Sequence, residues 1–116
     1  MPSINDTINA SMLRDPRWKP HPERAAGGTK YIATFLNRRG DAIALDLGSG
    51  GKNAIWVAAR LAPGTLAPAI DRELYPADKP RNSNLNVSQL KGKALMRLFP
   101  TSLSEARQLM DHFAEL

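Results

Sequence analysis

The chain has 116 residues, of which 42% are hydrophobic and 23% charged, and it contains no cysteine; that is room for one hydrophobic core, and residues 1–116 are read as a single domain. The apolar share excludes a disordered chain, and the missing cysteines exclude a disulfide framework, a thiolate metal site and a thiol nucleophile. With 16 Lys and Arg against 11 Asp and Glu, a formal charge of +5, the expected partners are anionic, either nucleic acid or an acidic protein surface.

Ser3 to Leu13 reads as a short helix, with Ser3 as N-cap and Ile4, Ile8 and Met12 recurring on one face. From Arg14 to Thr29 the pattern is broken by Pro16, Pro20, Pro22, Gly27 and Gly28, which predicts an extended loop pinned to the core by Trp18. Tyr31 to Leu36 is rich in strand formers, and Asn37-Arg38-Arg39-Gly40 supplies a turn. Asp41 to Leu47 alternates, with Ile43, Leu45 and Leu47 on one face, and Gly48-Ser49-Gly50-Gly51-Lys52 forms a second turn. A third strand is expected over Asn53 to Arg60, although its alanines are also compatible with a helix.

Leu61 to Leu90 carries Pro63, Gly64, Pro68, Pro76 and Pro80 and only short apolar patches, so little regular structure is expected there. A segment of that length without structure inside a compact domain points to function. Lys93 to Phe99 reads as a strand ended by Pro100, and Ser102 with Glu105 forms a capping box. The final helix follows, with Ala106, Leu109, Met110 and Phe113 as its apolar stripe. The expected fold is α+β: a small, mostly antiparallel sheet of about four strands with an N-terminal helix and a C-terminal amphipathic helix.

Ala42 to Gly50, an apolar strand ending in Asp46 and a glycine-rich turn, resembles the first motif of the S-adenosylmethionine-dependent methyltransferases. The resemblance implies that Asn53 to Leu61 is a helix and that Asp71, after Ala69 and Ile70, reaches the cofactor ribose. The chain departs from that pattern at Lys52, where the family's third glycine falls, and at Pro76 and Pro80, where further βα units belong. The chain after Asp46 is also too short for the rest of a doubly wound sheet. A turn joining two strands accounts for the same residues without a ligand, and that reading is preferred.

His21 and His112 have no partner at metal-ligand spacing, and no serine sits in a Gly-x-Ser-x-Gly elbow. His112 suits the C-terminal end of a helix dipole. Asp71 and Glu73 with Lys79 would fit a Mg²⁺-dependent nuclease, but acidic residues at this spacing are also ordinary on a solvated strand. No catalytic residue, cofactor or metal is therefore assigned.

From Lys79 to Ser104 the sequence has five basic residues and no acidic one. Arg81, Asn82, Ser83 and Asn84 are dense in groups that hydrogen-bond bases and phosphates. Tyr75 and Trp56 could stack on a base, and Arg38, Arg39, Lys52 and Asn53 could add phosphate contacts from the two turns. The expected function is a non-catalytic DNA- or RNA-binding module, of the kind that targets a larger system. The alternative is an interaction or inhibitor module docking on an acidic protein, ahead of a methyltransferase-like fragment or a nuclease. No apolar run approaches the roughly 18–20 residues that span a bilayer, and the first residues lack the features of a secretory signal. A cytoplasmic protein without membrane association is expected.

Overall fold

The structure, a computed structural model, describes residues 3–22, 32–47, 54–62, 70–78, 85 and 87–116. Helix α1 covers Ile4–Arg14. Its first turn is closed reciprocally: the Ser3 hydroxyl accepts from the Asp6 N–H at 3.1 Å, and the Asp6 carboxylate accepts from the Ser3 N–H at 3.2 Å. Trp18 follows the helix and is buried in the main core, as expected of the residue that pins this segment.

Among the described residues six strands form one antiparallel sheet: β1 (Lys19–Pro20), β2 (Ile32–Leu36), β3 (Ala42–Asp46), β4 (Ile55–Ala58), β5 (Asp71–Tyr75) and β6 (Leu95–Phe99). Their spatial order is β1-β2-β3-β4-β6-β5. The α+β class holds, but the sheet has two more strands than expected. Both additional strands are at edges. β1 is a two-residue strand ending in Pro20, and β5 is mostly exposed, so neither carries the apolar alternation that marks a half-buried strand.

β4 is a strand despite its alanines, because Ile55, Trp56 and Val57 are shapes that suit a pleated surface and all of its residues are buried. It pairs antiparallel with β3, with Ala44 opposite Trp56 and Leu45 opposite Ile55. That pairing corrects the methyltransferase resemblance. Residues 55–61 are a strand and the 3₁₀ turn Ala59–Leu61 rather than a crossover helix, and the sheet is antiparallel throughout.

Helix α2 covers Leu103–Ala114. Ser102 caps it by accepting from the Glu105 N–H at 3.1 Å. The expected reciprocal bond is displaced by one residue, since the Glu105 carboxylate accepts from the Thr101 N–H at 2.8 Å and from the Thr101 hydroxyl at 3.0 Å. The α2 stripe of Ala106, Leu109, Met110 and Phe113 packs with Ile8 and Met12 of α1 against Phe35, Ile43, Leu45, Ile55, Val57 and Leu98 on one face of the sheet.

The opposite face is also closed. Leu85, Val87 and Leu90, from the connection between β5 and β6, pack on Ile32, Ala42, Ala44, Trp56 and Leu95. This segment is latched to the far side of the sheet by His21, which is buried and lies 2.7 Å from the Gln89 side-chain oxygen. A further tie is Asn5, whose side-chain amide donates to the carbonyls of Asp46 at 2.8 Å and Ala54 at 3.0 Å, joining α1 to β3 and to the residue preceding β4. No helix among the described residues is long and apolar enough to cross a membrane.

Candidate nucleic-acid interface

The antiparallel order places the end of β2, the start of β3, the end of β4 and the start of β6 at one end of the sheet. The chain segments there are basic. Arg38 and Arg39 occupy the β2–β3 turn, Arg60 follows β4, and Lys91 and Lys93 precede β6; all five are exposed. Lys19, also exposed, stands opposite Leu36 at the same end of the sheet. The described acids near this end are Asp41, which pairs with Arg60 at 3.1 Å, Asp78 in the turn after β5, and Asp15, Asp111 and Glu115, which gather on Arg17. The other end of the sheet carries Asp46 at the end of β3 and Asp71 at the start of β5. The strand connections at this end are thus rich in basic residues, while the adjoining end of α2 is acidic. With neighbouring strands about 4.8 Å apart, the arginines of the β2–β3 turn and the lysines before β6 are separated by roughly 10–15 Å. That span covers about three or four phosphates of one strand.

The β2–β3 turn is held rigidly. The side-chain oxygen of the buried Asn37 accepts from the Arg39 N–H at 3.0 Å and the Asp41 N–H at 2.9 Å, and its amide donates to the Phe113 carbonyl at 2.9 Å. Gly40 supplies the left-handed conformation that closes the turn, with φ of 83°. Arg38 and Arg39 are therefore mounted on a turn bolted to the C-terminal end of α2.

Next to this turn Arg17 joins three carboxylates, meeting Asp15 at 2.8 Å, Asp111 at 2.9 Å and Glu115 at 3.1 Å. The hydrogen bonds from Arg17 hold the Asp15 carboxyl below its ordinary value, with a smaller contribution from the charge on Arg38, and the Arg17 guanidinium is correspondingly harder to deprotonate. Arg17 serves the fold; its single charge is outnumbered by the three carboxylates around it.

The aromatic residues expected to stack on bases are placed differently. Trp56 is 5% exposed, and its indole N–H donates to the Asp46 carboxylate at 2.9 Å. Tyr75 meets it edge-on, with ring centroids 5.0 Å apart. The Arg97 guanidinium lies 4.8 Å from the Trp56 ring and 5.1 Å from the Phe99 ring, and it contacts Asp46 at 3.4 Å and Glu73 at 4.0 Å. Trp56 is thus enclosed by the protein's own groups and has no open face for a base, which corrects the stacking role expected of it. Of the nuclease arrangement only the acidic pair can be placed, because Lys79 lies outside the described residues. Asp71 and Glu73 share one face of β5, but among the described residues no third acidic residue or histidine joins them in a group suited to a metal ion.

Of the other residues singled out in the sequence, Lys52, Asn53, Lys79, Arg81, Asn82, Ser83 and Asn84 lie outside the described residues. Arg38 and Arg39 are at the basic end. Lys19 and Arg60 were not legible as partners of these arginines, because each is isolated in sequence and only the strand order brings them together. No known protein family, curated protein or solved structure matches the chain.

Proposed function

We propose that the chain is a non-catalytic nucleic-acid-binding module that grips the phosphate backbone with the basic end of its sheet. The observation that supports this reading is the gathering of Arg38, Arg39, Arg60, Lys91 and Lys93 at one end, each within a few residues of a strand end, with the backbone of the arginine turn held by Asn37. Rigidly mounted cations lose little freedom on meeting phosphates, and neutralising each phosphate releases counterions.

The test is a salt titration of binding to a panel of single- and double-stranded DNA and RNA. Affinity is expected to fall steeply with salt. The combined variant Arg38→Ala, Arg39→Ala, Lys91→Ala, Lys93→Ala should flatten the log–log slope by about 0.9 per lost phosphate contact on duplex DNA, or about 0.7 on a single strand. These side chains are exposed, so the variant should fold normally. No affinity at low salt, or a slope unchanged in the variant, would overturn the reading. Salt-sensitive capture of an acidic protein together with weak, sequence-blind nucleic-acid binding would favour a protein-docking role for the same surface.

A further inference from the structure

Beside the arginine turn is a cleft of about 340 Å³, lined by Pro16, Arg17, Trp18, Lys19, Leu36 and Arg38. It is at the small end of the about 300–1,000 Å³ range of small-molecule sites. Three features bear on what it can bind. Its charged lining is entirely basic: Lys19 and Arg38 have no ion-pair partner among the described residues, whereas Arg17 is paired with its three carboxylates. The cleft between the helices is lined by Arg17 and Arg107 together with Asp15 and Asp111, and the one beside β5 includes Asp71 and Glu73, whereas the depression beside Arg60 and Lys93 is, like this one, basic only. The second feature is an apolar wall of Pro16, Trp18 and Leu36, suited to a ring system. The third is Trp18 itself. It is 5% exposed, and its indole N–H is buried without an acceptor. The nitrogen itself is closed off from solvent, so Trp18 serves as a reporter of the cleft rather than as a ligand contact.

We infer that this cleft binds a nucleotide through its phosphomonoester, with the phosphate between Lys19 and Arg38 and the nucleoside against the apolar wall. On the nucleic-acid reading proposed above, on which this assignment rests, that nucleotide is the phosphorylated end of a strand. The charge supports a terminal rather than an internal phosphate. A phosphomonoester carries about −1.5 to −2 at neutral pH, which two unpaired cations match, whereas a backbone diester carries a single charge. The reach is adequate too. Lys19 is directly opposite Leu36 in the β1–β2 pair, and Arg38 is two residues further along the same chain. Two long side chains starting that close can converge on one phosphate.

The experiment compares one short DNA strand carrying a 5′-phosphate, a 3′-phosphate or neither, with adenosine monophosphate and inorganic phosphate as competitors. The Trp18 indole N–H is followed by NMR and assigned through Trp18→Phe. A terminal phosphate at one end should tighten binding by about tenfold or more. Adenosine monophosphate should remove that advantage and shift the Trp18 indole signal. Lys19→Ala with Arg38→Ala should abolish the preference, while Lys91→Ala with Lys93→Ala keeps it. Equal affinity for all three strands overturns the inference and leaves the nucleic-acid reading standing. Binding of adenosine monophosphate with no binding of any strand keeps the cleft as a nucleotide site and ends the nucleic-acid reading. Inorganic phosphate acting as well as the nucleotide, with an equal shift at Trp18, overturns the assignment to a nucleotide.

Discussion

One face of the sheet is covered by α1 and α2, whose apolar stripes are spaced for a helix; the other is covered by Leu85, Val87 and Leu90 from the connection between β5 and β6. These three residues have the same 0% exposure as Phe113 on the helix side. The difference lies in what supplies the backbone hydrogen bonds. The helices satisfy their own, whereas the covering segment relies on short local turns, such as the Leu90 and Lys91 N–H groups on the Val87 carbonyl at 2.9 and 2.8 Å, and on the His21–Gln89 contact. A sheet face can therefore be closed tightly by a segment whose described part, residues 87–93, holds only short turns, provided that a few apolar side chains reach the sheet and the segment is tied down at a distance from its strands.

The largest effects should come from emptying the two cores. Phe113→Ala on the helix side is expected to cost about 3–5 kcal/mol, and Leu90→Ala on the other side about 2–5 kcal/mol, both read from urea unfolding. A loss below about 1 kcal/mol for Leu90→Ala would mean that the second face is loosely covered and would break the comparison. His21→Ala should cost about 1–3 kcal/mol, the range for a buried hydrogen bond with one partner removed. Its signature is local: amide exchange should quicken at Leu90 and Lys91 and stay unchanged in the middle of α2.

Smaller still is the charge network that braces the helix side. Arg17→Ala is expected to cost about 1 kcal/mol at neutral pH, as suits a partly exposed cluster. The folded-state pKa of Asp15 is lowered, so the stabilisation it reports is present above the ordinary carboxylate range and is lost as the pH falls through the lowered value. The unfolding curves of wild type and Arg17→Ala should therefore converge in acid, below about pH 4. A gap that persists there would assign the role of Arg17 to packing rather than to charge.

The elements with a period were legible from the start. Ile4, Ile8 and Met12 marked α1, the Leu109–Phe113 stripe marked α2, and alternation marked β3. β5 was missed because an edge strand that exposes Asp71, Glu73 and Leu74 has no buried side to impose alternation. The segment ahead of β6 carries little sign of regular structure in its sequence for a related reason. Leu85, Val87 and Leu90 follow neither helical nor strand spacing, so their shared burial leaves no trace in the order of residues. For the candidate site, Arg38 and Arg39 were legible as turn arginines. The burial of Trp56 was not, because an aromatic side chain in a strand looks the same whether a loop covers it or solvent does.

By itself the sequence determined the local elements, the caps of both helices and the excess of positive charge, since each of these depends on neighbours within a few positions along the chain. The tertiary structure decided that β6 enters between β4 and β5, that the second face is covered, and that Lys19, Arg38, Arg39, Arg60, Lys91 and Lys93 belong to one end. Those outcomes depend on which strands pair across long separations. Strand pairing is chosen by burial of the whole sheet rather than by any short stretch of residues.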